Sequence, residues 1–271
     1  MTIRSVLVAN RGEIAVRVIR ACRELGIESV QAFSAVDRDS LPVRMADRSI
    51  CIGGARPSES YLNRNALISA AQMAKVDAVH PGSGFLSENA EFAQAVLDAG
   101  LTYIGPEPSS IRLMGDKAAA RKLAMDAGVP VVQGSPDPVA DVDEAVRLAN
   151  GIGYPVLVKA SAGGGGRGMR VMESERQLRE GLERASSEAA AAFGNGAVYI
   201  ERYISPVRHV EVQVVGDGKD VLHFGERDCT IQRRHQKLIE ESPSPIVSPQ
   251  LRERMTRAAC DLARAVNYRS A

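Results

Sequence analysis

The chain has 271 residues, with 34 Lys and Arg against 33 Asp and Glu, a net charge of +1, and only 4% aromatic residues. That balance, without a basic block interleaved with aromatics, argues against a nucleic-acid partner, and no run of about 18 apolar residues offers a membrane span. Cys22, Cys51, Cys229 and Cys260 include no C-x-x-C pair, which suits a reducing compartment and neither a zinc site nor a disulfide framework. Met1 leads directly into a strand pattern with no signal-like stretch, so a cytoplasmic location is expected.

In chain order, Ser5 to Ala9 reads as a buried strand. Ile14, Val18, Ala21, Cys22 and Leu25 follow at helical spacing, Gly26 stops the helix, and Ser29 to Ser34 is a second strand. Strand, helix and strand within about 30 residues predict a right-handed parallel unit. Asp37 stands where a dinucleotide site would want its ribose acid, but the first turn lacks the glycine triplet. The alternation continues with a helix over 62–74, a strand over 76–80, a turn at Pro81 to Gly84, a helix capped by Ser87 and running to Ala99, and a strand over 101–104. His80, at a strand end, reads as a structural histidine. A doubly wound α/β domain is expected over about the first 105 residues.

Pro106 and Pro108 mark a junction. A helix over 109–127 is interrupted at Gly115-Asp116-Lys117, and Asp141 or Asp143 can cap a helix over 144–150. Then comes PVLVKASAGGGGRGMRVM, Pro155 to Met172: an apolar run, Lys159, a loop with Gly163, Gly164, Gly165, Gly166 and Gly168, and a second apolar run. Without Cβ atoms, that backbone can close its N–H groups on an anion, and the lysine ammonium is a point charge suited to phosphate. No helix opens at the loop, and no Gly-Lys-Ser/Thr ends it, so the dinucleotide and P-loop templates both fail. Strand, glycine loop and strand predict a flap over nucleotide phosphates.

Ser174 and Gln177 have capping-box spacing for a helix to about Ala192. Val198 to Ile204 is a strand, His209 to Val215 alternates cleanly, and Gly216 to Lys219 turns into a returning strand over 220–225. These pairings are antiparallel, so the second part reads as a separate α+β unit. Glu226 to Lys237 then reads as a charged loop whose Arg227, Arg233, Arg234, His235 and Lys237 could form an anion pocket. Pro249 begins a last helix whose buried stripe is expected to be Leu251, Met255, Ala258, Leu262 and Val266.

The motifs ANRGEIAVRVIRACRELGI, DRDS, HPGSGFLSEN, MGDKAAAR, KASAGGGGRGMR, RHVEVQV and ERDCTIQRRHQKLIEESPSP, in this order and at this spacing, make the whole chain resemble the N-terminal 60% or so of a biotin carboxylase of the ATP-grasp superfamily. The resemblance implies an N-terminal α/β domain over 1–113 and an ATP-grasp domain over 114–271, with a lid at about 131–203 and the start of an incomplete core at 204–271. It implies an ATP-dependent ligase that carboxylates carrier-borne biotin with bicarbonate through carboxyphosphate, the first half-reaction of an acyl-CoA carboxylase in fatty acid metabolism.

By the same resemblance, Lys117 and Lys159 contact ATP phosphates, and Gly165 and Gly166 belong to the closing flap. Glu201, Arg202, Tyr203 and Ile204 line the adenine pocket, largely through backbone. His209 and His235 lie against the nucleotide, Lys237 holds bicarbonate, and Gln232 shares that pocket. Mg²⁺ is implied, but its carboxylates belong to a segment beyond residue 271, so no metal ligand is assigned and the chain reads as a catalytically incomplete fragment. A biotin carboxyl carrier, a carboxyltransferase subunit and a homodimer are the implied partners. Ser83 stands where the family usually has tyrosine. Two other readings are a carbamoyl-phosphate-type ligase, which should lack ERDCTIQRRHQK, and a non-catalytic nucleotide-binding module.

Overall fold

The computed structural model describes residues 2–139, 141–161, 169–233 and 236–270, apart from the side chains of Lys117 and Phe193. By its internal contacts the chain divides into two units, one of 1–115, 215–220 and 266–271, the other of 116–214 and 221–265.

In the first unit the elements are β1 (Ser5–Val8), α1 (Gly12–Glu24), β2 (Glu28–Ser34), α2 (Leu41–Met45), β3 (Arg48–Gly53), α3 (Arg64–Ala74), β4 (Ala78–His80), α4 (Ala90–Asp98), β5 (Thr102–Tyr103) and α5 (Pro108–Gly115). The five strands form a sheet in the order β3-β2-β1-β4-β5, and every pairing is parallel. β1 is buried throughout because helices cover both of its faces. Leu7, Val30, Leu67, Phe92 and Val96 pack on one side, and Val6, Val8, Ala15, Val18 and Ile19 on the other.

One local reading is corrected here, and one strand is added that the sequence pattern did not show. β3 falls in a stretch that shows no clear strand pattern: it is an edge strand, largely exposed at Arg48, Ser49 and Cys51, so burial never imposed an apolar run on it. α4 is capped by Asn89, whose side chain accepts from Phe92 N at 2.7 Å, whereas Ser87 sits in a turn, its N–H donating to Gly84 O. Asp37 accepts hydrogen bonds from Ser34 Oγ at 2.5 Å and Tyr61 Oη at 2.8 Å. His80 accepts from Gly82 N at 3.0 Å, and burial lowers its pKa.

The second unit contains α6 (Lys117–Asp126), α7 (Val142–Ile152), β6 (Val156–Ala160), β7 (Met169–Met172), α8 (Glu175–Phe193), β8 (Val198–Arg202), most of β9 (Val210–Asp217), β10 (Val221–Arg233), β11 (Gln236–Glu241) and α9 (Pro249–Ala265). β7, β6 and β8 form an antiparallel sheet in that order. Its buried face (Val156, Val158, Met172, Ile200) packs on Ala145, Ala149, Leu178 and Leu182 of α7 and α8. Asp141 caps α7, Ser174 caps α8, and Asp116 caps α6 through two backbone N–H groups. β11, β10 and β9 form a second sheet. The end of β9, which belongs to the first unit, pairs antiparallel with β12 (Arg269–Ser270).

Two further readings are corrected. The charged stretch is not a loop over 226–233: β10 runs on to Arg233 and pairs antiparallel with β11. Its polar side chains are tied to one another across strands, which propensity alone does not reveal. On α9 the fully buried residues are Thr256, Cys260 and Ala263. Of the expected stripe, Val266 beyond the helix end is buried, but Leu251, Met255, Ala258 and Leu262 are half-buried and line an open groove of about 800 Å³ with Val210, Val212 and Pro130. Periodicity marks an apolar face without saying whether a sheet covers it.

Candidate functional site

Two polar clusters lie in the second unit. The first is set by strand alternation. Val156, Val158 and Ala160 of β6 point to the core, so Leu157 and Lys159 point the other way. On β8, Val198 and Ile200 are buried, so Tyr199 and Glu201 share the face of Lys159. Register pairs Lys159 with Tyr199 and Leu157 with Glu201. Lys159 and Glu201 are therefore diagonal neighbours, and the Lys159 ammonium pairs with the Glu201 carboxylate.

A third group joins them from α6. Arg121 Nη1 lies 3.7 Å from Glu201 Oε1, and its Nη2 donates to Val132 O at 2.5 Å. Together with Ser135 and Tyr199 these side chains line a cavity of about 30 Å³. The segment 133–135 is stitched along β8: Arg202 N donates to Gln133 O at 2.8 Å and Ser135 N to Ile200 O at 2.7 Å. Gly134 permits that approach, since a Cβ there would lie 2.5 Å from Ile200 O.

The second cluster occupies the β9–β10–β11 sheet. Gln232 and Lys237 are direct cross-strand partners. The Lys237 ammonium and the Arg227 guanidinium both pair with the Glu211 carboxylate. Burial pushes the Glu211 pKa up, but its hydrogen bonds to Lys237 and Arg227 outweigh that and leave it below the usual carboxylate value. The same hydrogen bond raises Lys237, fixing it as an ammonium. Gln232 Nε2 lies 2.7 Å from His209 Nδ1 and donates to Cys229 O at 2.9 Å. Burial raises the pKa of the Cys229 thiol.

Beneath this sheet Glu226, only 1% exposed in its side chain, accepts from Arg252 Nε at 2.8 Å and Nη2 at 2.7 Å and from Ser244 N at 3.2 Å. This network ties the β11–α9 connection to β10 and so fixes the strand that carries Arg227 and Gln232.

Of the residues singled out from sequence, the structure brings Lys159 to Glu201, His209 to Gln232, and Gln232 opposite Lys237. Arg202 and Ile204 are exposed and Tyr203 half-buried; Tyr203 N donates to Pro155 O at 3.1 Å. Lys117 opens α6, but its side chain, like Gly165, Gly166 and His235, lies outside the described residues. Arg121 and Glu211 had no assigned role. A signal for Glu211 existed, because His209, Glu211 and Gln213 alternate as the polar face of one strand. Arg121 falls one helical turn after Lys117, a weaker cue.

Comparison with known proteins gives the family. Residues 116–271 match the family described as carbamoyl-phosphate synthase L chain, ATP binding domain, and residues 2–111 match the biotin carboxylase N-terminal domain. The chain belongs to the biotin carboxylase family, with that family's N-terminal domain followed by its ATP-grasp domain. Biotin carboxylase 1 of Bacillus subtilis is 53% identical over 99% of this chain and 60% of its own length. Human mitochondrial pyruvate carboxylase is 51% identical over 99% of this chain and 23% of its own. A solved biotin carboxylase–β,γ-ATP complex from Campylobacter jejuni superposes with a TM-score of 0.93 at 50% identity, covering 99% of this chain and 60% of that one. The biotin carboxylase domain dimer of Hydrogenobacter thermophilus 2-oxoglutarate carboxylase, solved with MgADP, ADP and bicarbonate, has a TM-score of 0.91 at 47% identity, covering 100% and 60%. The chain thus spans about 60% of the length of the biotin carboxylases it matches.

Proposed function

We propose that this chain binds the nucleotide of a biotin carboxylase, whose reaction is the ATP-dependent carboxylation of biotin on a carrier protein, first half-reaction of an acyl-CoA carboxylase in the cytoplasm. The observation that carries the reading is the Lys159–Glu201 pair on β6 and β8, where β6 leads into the glycine-rich segment. Phosphoryl transfer asks mainly for positioning and charge neutralisation. Lys159 and Lys117 supply positive charge to the phosphates, Gly165 and Gly166 cover them, and Glu201, Arg202, Tyr203 and Ile204 face the adenine, with His235 against the nucleotide.

Lys237 and Gln232 hold bicarbonate, and His209 orients Gln232 through the 2.7 Å contact. A bicarbonate oxygen attacks the γ-phosphorus, and the bond to the β,γ-bridging oxygen breaks, releasing ADP and carboxyphosphate. Carboxyphosphate separates into CO₂ and phosphate. The biotin ureido nitrogen then gives its proton to the released phosphate and bonds to the CO₂ carbon. Among the described residues no group of three or more His, Cys, Asp or Glu could hold a metal ion. A carboxyltransferase subunit and a second copy of the chain complete the proposed partners. The alternative, a non-catalytic nucleotide module, places no chemical demand on the Lys237–Glu211–Arg227 cluster.

The test is calorimetric titration of the chain with ADP and Mg²⁺, repeated with Lys159→Ala. Binding weakened about tenfold or more, roughly 1.4 kcal/mol, supports the reading. No binding by the wild-type chain, or equal binding by the variant, overturns it.

A further inference from the structure

We infer that Arg121 is a positioning residue that releases Lys159 to the nucleotide by remaining behind as the second cation of Glu201. The inference rests on the nucleotide reading above. Lys159 is engaged by Glu201, so its ammonium must leave that carboxylate before it can serve a phosphate. Glu201 is only 22% exposed in its side chain. Stripping such a group of all counter-charge would be costly, because little water can replace the partner.

Arg121 removes that obstacle. Its Nη1 stands 3.7 Å from Glu201 Oε1, close enough to share the charge and one small adjustment short of a hydrogen bond. It cannot follow Lys159 outward, because its other terminal nitrogen is tied to Val132 O, and Val132 leads into the segment 133–135 that is bonded along β8. The exposures fit this division: Arg121 is 19% exposed and Lys159 31%. A planar fork held at two points suits the stationary partner, and a flexible ammonium on a four-carbon stem suits the mobile one. The two cations also reach Glu201 from different elements, α6 and β6, so one can depart without moving the other.

The experiment is a titration with MgADP of the wild-type chain, Arg121→Gln, Glu201→Gln, the double variant and Lys159→Ala. Arg121→Gln should weaken binding about 5- to 10-fold, because Glu201 is left with Lys159 alone. In the Glu201→Gln background the same change should cost less than about twofold, since no carboxylate then holds the lysine. An equal loss in both backgrounds overturns the inference, since a structural role for Arg121 would not depend on the Glu201 charge. Arg121→Lys, which keeps a cation, should stay within about threefold of wild type. A loss as large as that of Gln overturns the inference even if the Gln variant folds poorly. No effect of Lys159→Ala overturns the nucleotide reading itself, and this inference with it.

Discussion

Replacing Glu226 by Gln tests whether the charged network under the β10–β11 hairpin stabilises the second unit. Glu226 is 1% exposed and fully engaged by Arg252 and Ser244. The Arg252 hydrogen bonds hold its carboxyl pKa down to about 2, against an ordinary 4.5. At about 1.36 kcal/mol per pH unit, that displacement makes ionised Glu226 worth about 3 kcal/mol to the folded state. Because the folded pKa is depressed, this stabilisation is complete above pH 4.5 and is lost as pH falls from there toward 2.

Glu226→Gln keeps the shape and the acceptor for Ser244 but deprives Arg252 of its counter-charge. Arg252 is 33% exposed in its side chain, so water takes over part of its solvation, and the expected cost at pH 7 is about 2–3 kcal/mol, less than for a fully buried orphan. Urea unfolding followed by circular dichroism, with hydrogen exchange of β10 and α9 peptides to localise the effect, reads this directly. The gap between wild type and variant should narrow as the pH is lowered from 5 toward 2, by roughly half at pH 3. A difference at pH 7 within about 0.5 kcal/mol, the range of an inert surface change, or a gap that does not narrow in acid, would refute the reasoning.

Asn89→Ala should destabilise the first unit by about 1 kcal/mol through loss of the α4 cap, whereas Ser87→Ala should be near neutral, a contrast that thermal melts can measure. Gly134→Ala places a Cβ 2.5 Å from Ile200 O and 2.8 Å from Glu201 Cγ. Pushing the segment 133–135 off β8 should cost about 1–3 kcal/mol and lower MgADP affinity at the same time, which unfolding and calorimetry on one preparation would show.

Much of the architecture was legible in the chain. Unbroken apolar runs such as Ser5 to Ala9, separated by amphipathic helices, can be satisfied only by a parallel sheet covered on both faces. The clean alternation around His209 to Val215 announced antiparallel strands. The readings that failed share a cause. β3 is an exposed edge, and β10 beyond Gly225 is rich in charge, so neither carries the hydrophobic period that burial normally imposes.

The sequence by itself determined the order of elements, the division into a parallel and an antiparallel part, and the residue types capable of phosphate chemistry, because these follow from local periodicity and from what glycine and lysine can do. Only the tertiary structure decided which charges meet. Glu201 reaches Lys159 through strand register, Arg121 reaches Glu201 from a helix eighty residues earlier, and Glu211 draws Arg227 and Lys237 together across three strands. Ion pairing depends on distances of a few ångströms between residues far apart in sequence, and only the packed fold sets those distances.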